Sequence, residues 1–165
     1  MPRIPYVDPD VAEPAELVAA IRARPGGDLY HLDRILLHSP PFAAGWNEFL
    51  GRVRRDLALP PRLMELAICV VAVLNGAEYE FVHHEPLYAT AGAGRAARDA
   101  LRKLNDPAAD LSAFDATEQI VINLTRELTR DTTVDERTFA AARESLNDER
   151  QPVELIGVIA AYNMV

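Results

Sequence analysis

Residues 60–92 read PPRLMELAICVVAVLNGAEYEFVHHEPLYATAG, and the fold class turns on this stretch. Between Arg62 and Leu74 the side chains are nearly all apolar, with none of the alternation that marks a half-exposed strand. Pro60 and Pro61 suit the first turn of a helix, where a missing N–H deprives no carbonyl of a partner. Asn75 and Gly76 supply a stop. A helix that is apolar all round, rather than along one stripe, is expected to be buried on most sides. The next helix begins near Ala77 and meets Pro86 about two turns later, where the absent donor should kink or end it.

Helical spacing continues outward in both directions. Ala97, Ala100, Leu101 and Leu104 form one stripe, and Ile120, Val121, Leu124 and Leu128 form another. Asp115 and Glu118 have the spacing of a capping box ahead of the second stripe, and Thr133 with Glu136 repeats it. Ser39 before Pro40 and Pro41 marks a further start. The spacing predicts helices near 14–23, 28–38, 40–56, 61–75, 77–91, 93–104, 116–130, 134–146 and 151–164. No segment reads as a sheet. The expected architecture is all-α, one domain over 1–165, with 1–38 as an N-terminal helical extension and 60–92 as the core motif. Residues 153–165, VELIGVIAAYNMV, remain apolar to the last position and predict packing against another surface, such as a neighbouring subunit.

Charge and composition narrow the function classes. With 17 basic and 25 acidic residues the net charge is -8, which disfavours nucleic acid and anionic membrane surfaces as partners. Arg52, Arg54 and Arg55 read as a solvated helix face. The longest apolar run, Leu66 to Leu74, is far below the roughly 20 residues that span a bilayer. The opening MPRIPYVDPD has neither the apolar core nor the cleavage site of a secretory signal, so a cytoplasmic location is expected. Cys69 is the single cysteine, which excludes an internal disulfide or a CxxC pair, and its apolar setting predicts an inert filler.

Chemistry concentrates in the same stretch. Glu65 is the one carboxylate in the apolar helix, and a buried carboxylate must be paired, hydrogen-bonded or protonated. It could equally bridge an arginine or cap a neighbouring helix. Glu80 and His84 lie four apart, on one face of the next helix, and a carboxylate that orients an imidazole is a general acid–base device. The competing reading of that spacing is an exposed helix pair. Tyr79 and His83 form a second pair, rotated by one residue. Phe42, Trp46 and Phe49 make a stripe that reads as core or subunit packing, with Trp46 also a candidate substrate contact beside His83. His31 and His38 read as helix-surface or helix-end residues. A metal site built from Glu65, Glu80, His83 or His84 is disfavoured because the i, i+3 Glu–His spacing of di-iron bundles is missing, and no cofactor is expected.

At these residues the sequence resembles the carboxymuconolactone decarboxylase and alkylhydroperoxidase D-like superfamily. The similarity runs from HSPPFAAGWNEFL to HHEPLYATAGAG and continues more weakly to the final helix. In the peroxidase branch a glutamate precedes a CxxC and then a histidine. Laid on this chain, those positions are Glu65, Ala77, Glu80 and His84. Both thiols are absent, and Tyr79 stands where the peroxidase carries another histidine. The decarboxylase branch lacks the cysteines and carries a glutamate and histidine spaced as Glu80 and His84 are. The resemblance therefore implies an alkylhydroperoxidase D-like helical bundle that assembles as a trimer or hexamer, with sites near subunit interfaces. It implies a lyase of aromatic compound catabolism acting on a small organic acid or lactone, with His84 as acid–base group, Glu80 orienting it, and Glu65 and Tyr79 supplying hydrogen bonds or a relay. The alternative is a non-catalytic ligand-binding or assembly protein that kept the fold.

Overall fold

The structure, a computed structural model, describes residues 2–10, 12–24, 27–146 and 148–165. Among them nine helices occur and no strand, as the sequence spacing predicts. The chain divides into two compact units, residues 1–56 and 57–165. The sequence reading placed its internal boundary after residue 38. The observed boundary follows Asp56, because the third helix packs with the first two.

In the first unit, α1 (Ala15–Arg22), α2 (His31–Leu36) and α3 (Pro40–Arg55) enclose a small core of Leu17, Val18, Ile21, Leu37 and Ala43. Asp33, buried in α2, is matched by an ion pair from Arg24 and a hydrogen bond from the Tyr30 N–H at 2.8 Å. That bond starts α2 three residues later than predicted. The aromatic stripe on α3 splits: Trp46 is buried, whereas Phe42 and Phe49 are exposed. Arg52 and Arg55 are exposed, and Arg52 pairs with Asp56 at 3.1 Å. His31 stacks on Tyr6, and His38 reaches the Pro5 carbonyl at 2.8 Å.

The second unit is built around α4 (Pro61–Asn75), which packs against α5 (Glu78–Thr90), α7 (Ala116–Arg130) and α9 (Arg150–Met164), with α6 (Arg95–Leu101) and α8 (Glu136–Ser145) outside them. Every residue of α4 from Leu63 to Ala72 is buried, as its unbroken apolar run predicts. Each fully buried leucine, isoleucine or valine there contributes about 1.5–3 kcal/mol. Gly76 adopts φ 66°, a left-handed C-cap that suits glycine, and Ala77 N–H closes the turn onto the Ala72 carbonyl at 2.8 Å. The turn starts α5 directly afterwards, so α4 and α5 are neighbours.

Two local expectations need correction, and the span of α5 is as predicted. Helix α5 runs through Pro86 to Thr90, close to the predicted span of 77–91, so of the two outcomes expected at that proline the helix does not end there. The Thr133–Glu136 box does not form. Asp135 is the N-cap of α8 and accepts from Arg137 N–H at 2.8 Å, while Thr133 turns its hydroxyl to the Asp131 carbonyl. Helix α6 stops at Leu101, and Leu104 is buried by a tighter turn in which its N–H reaches the Leu101 carbonyl. The Asp115–Glu118 box is present at 2.8 and 3.1 Å. Much of the apolar character of α9 is used inside its own unit: Leu155, Val158, Ile159, Ala161 and Tyr162 are buried, leaving Val153 and Met164 exposed.

Candidate functional site

Helix α4 presents Glu65 from its buried run, and α5 presents His84 from the adjoining side. Both are almost fully enclosed, at 7% and 6% exposure. His84 Nδ1 and Glu65 Oε2 are 2.7 Å apart, a charge-assisted hydrogen bond in length. An ionised carboxylate only accepts, so Nδ1 carries the proton when Glu65 is charged. Glu80, one turn earlier on α5, approaches the opposite nitrogen, with its Oε2 3.6 Å from Nε2. That is too long for a direct hydrogen bond. The imidazole is thus flanked by two carboxylates, one bonded and one near.

The bond that sets the tautomer comes from Glu65, not from Glu80 as the helical spacing suggested. Tyr162 of α9 completes the surround, its ring perpendicular to the imidazole with centroids 5.0 Å apart at 86°. Sequence reasoning missed Tyr162; the only signal for it was an aromatic residue in an apolar final helix. Tyr79 is 40% exposed and lies against His83 rather than joining the buried group, with ring centroids 4.4 Å apart. His83 Nδ1 is bonded to the Tyr79 carbonyl at 2.7 Å. Trp46 belongs to the first unit, where its ring neighbours Phe42.

A second buried cluster, also missed, stands one turn away on the same two helices. Glu118 of α7, fully buried, accepts from Arg62 Nε at 2.8 Å and from the Tyr88 hydroxyl at 2.6 Å. Its other oxygen takes the Asp115 N–H. Arg62 is therefore committed to Glu118, and it stands 3.6 Å from Asp115. Burial and then the bond to Glu118 push the Tyr88 phenol well above its usual range. Arg95 is exposed and pairs with Asp99 at 3.5 Å.

Cys69 is buried, and desolvation first, then the charges of Glu65 and Glu85, push its thiol far above the usual value. A thiolate is accordingly not formed near neutral pH. Among the described residues no group of three histidine, cysteine, aspartate or glutamate side chains is arranged to hold a metal ion, and no helix is long and apolar enough to cross a membrane. What the arrangement can do is hold one imidazole in a chosen tautomer and offer its second nitrogen, beside a carboxylate, for proton exchange.

No curated protein and no solved structure matches the chain significantly. Residues 40–121, which include Glu65, Glu80, His84, Tyr88 and Glu118, match the model of the carboxymuconolactone decarboxylase family.

Proposed function

We propose that the chain is a carboxymuconolactone decarboxylase-like enzyme that performs glutamate–histidine acid–base chemistry on a small organic acid or lactone. The observation that carries the reading is the buried 2.7 Å bond between Glu65 and His84 Nδ1. That bond leaves Nε2 as the nitrogen that takes and returns a proton, while Glu80, 3.6 Å away, stabilises the imidazolium when it forms. In a decarboxylation, the bond to the carboxylate carbon breaks, carbon dioxide leaves, and the electron pair passes into the conjugated carbonyl. Nε2 first takes the acid proton of the substrate's carboxyl group, forming the imidazolium, and after carbon dioxide has left it returns that proton to the enolate carbon. Tyr79 and His83, paired on the exposed side of α5, are assigned no proton transfer, and Trp46 is assigned no role.

A dithiol peroxidase is ruled out by composition, since Cys69 is the single cysteine. The protein is further proposed to act in the cytoplasm as a homo-oligomer, a trimer or hexamer. The exposed apolar side chains Val82 and Leu87 on α5 and Val153 and Met164 on α9 support assembly.

The test is turnover of carboxymuconolactone and of a panel of small lactone acids, followed by release of carbon dioxide. His84→Ala should lower kcat by about 10²–10⁴-fold, the usual worth of a positioned acid–base group, with the far-ultraviolet spectrum unchanged. Full turnover by the folded variant would remove His84 from the reaction. A folded wild-type protein that binds members of the panel and turns none over would favour the ligand-binding alternative.

A further inference from the structure

Two cross-links join the same pair of helices, and they stand in adjacent turns. Glu65 and Arg62 are three apart on α4; His84 and Tyr88 are four apart on α5. Such spacings put each pair on one helix face, one above the other. The first rung is the direct bond from His84 to Glu65. The second runs through α7, because one oxygen of Glu118 receives both the Arg62 Nε–H and the Tyr88 hydroxyl. Glu118 itself is held by the capping box: Asp115 accepts its N–H, and its second oxygen accepts the Asp115 N–H. The start of α7 therefore fixes the point at which α4 and α5 are clamped.

We infer that Glu118 and Tyr88 are positioning residues, which set the rotation and register of α5 against α4 and so hold His84 Nδ1 on Glu65. The inference rests on the acid–base reading for its consequence, though the geometry it concerns is independent of any substrate. A functional hydrogen bond of this kind must be kept within about 0.5 Å, and a single rung leaves α5 free to roll about its own axis. Two rungs on one face stop that roll. Removing the Tyr88 hydroxyl leaves Arg62 on Glu118 and breaks only the link to α5.

The experiment is nuclear magnetic resonance of the ¹⁵N-labelled full chain, following the His84 Nδ1 proton, assigned by its loss in His84→Gln. Wild type should show a downfield, slowly exchanging Nδ1 proton and a single tautomer. Tyr88→Phe should broaden or shift that proton and move the pH midpoint of the His84 ring, while Arg143→Gln, exposed on α8 with Glu149 as its partner, should change neither. An unchanged proton and midpoint in folded Tyr88→Phe overturns the inference and reduces the second rung to plain structural support. Should Tyr88→Phe fail to fold, Arg62→Gln, whose side chain is 38% exposed, tests the same rung with the same two outcomes. Glu65→Gln separates the two levels. If it too leaves the Nδ1 proton unmoved, the acid–base reading falls; if it moves the proton and Tyr88→Phe does not, only the positioning role falls.

Discussion

The Glu65–His84 bond is open to measurement without a substrate, through a double-mutant cycle of Glu65→Leu, His84→Leu and the pair together. Glu65→Leu strands a buried Nδ1–H, at about 1–3 kcal/mol for the unsatisfied group. His84→Leu strands a carboxylate that is 7% exposed, at about 3–5 kcal/mol, because a charge left without its partner in the interior is the costlier orphan. The double variant strands neither. It sets two leucines beside the ring of Tyr162, already in contact with the imidazole at 5.0 Å, and should lose much less than the sum of the singles. With the singles summing to about 4–8 kcal/mol, a coupling of at least about 2 kcal/mol follows, toward the upper part of the range found for contacting residues. Urea unfolding at neutral pH, followed by far-ultraviolet circular dichroism, reads it out; at ordinary slopes the coupling displaces the midpoint by about 1 M. Glu80→Leu in the same cycle should give a smaller coupling, since its 3.6 Å approach to Nε2 is not a hydrogen bond. Additivity of Glu65→Leu and His84→Leu within about 0.5 kcal/mol would refute the pairing on which the site is built.

Asp115→Ala should destabilise by about 1 kcal/mol through loss of the α7 cap, whereas Thr133→Ala should be close to neutral, and comparison of their urea midpoints checks both. The Tyr88 phenol is raised in the folded state above its ordinary value of 10.0, so its contribution is complete below pH 10 and is lost as pH climbs, when only the unfolded chain releases that proton. Stability measured between pH 9 and 11 should therefore fall, and Tyr88→Phe should flatten the slope; an equal slope in both proteins would contradict the assignment. Cys69 should resist a thiol reagent in the folded protein from pH 7 to 9 and react with one equivalent after unfolding, because burial keeps the thiol protonated as well as covered.

What the sequence revealed about this site, and what it concealed, follows from the geometry of helices. Glu80 and His84 were legible as a pair because a four-residue spacing places them on one face wherever the helix lies. Glu65 was legible as a residue in need of a partner, since it is the one carboxylate in a run buried from Leu63 to Ala72. Its partner was not legible. The alternatives of an arginine bridge and a helix cap both exist in this protein, but Glu118 performs them together, which left Glu65 to the imidazole. The choice depends on how α5 is turned about its own axis, and the pattern of α5 does not reveal that turn. Its apolar side chains lie all round: Phe81 and Tyr88 are buried, while Val82 and Leu87 are exposed at 50% and 48%. Burying Val82 and Leu87 instead would satisfy the hydrophobic effect almost as well and would carry His84 away from Glu65. The polar rungs decide between those rotations, because only one of them satisfies the buried carboxylates of Glu65 and Glu118 at once. In this fold the ionisable side chains of the site thus do structural service before any chemical one, selecting the orientation of the helix that carries them.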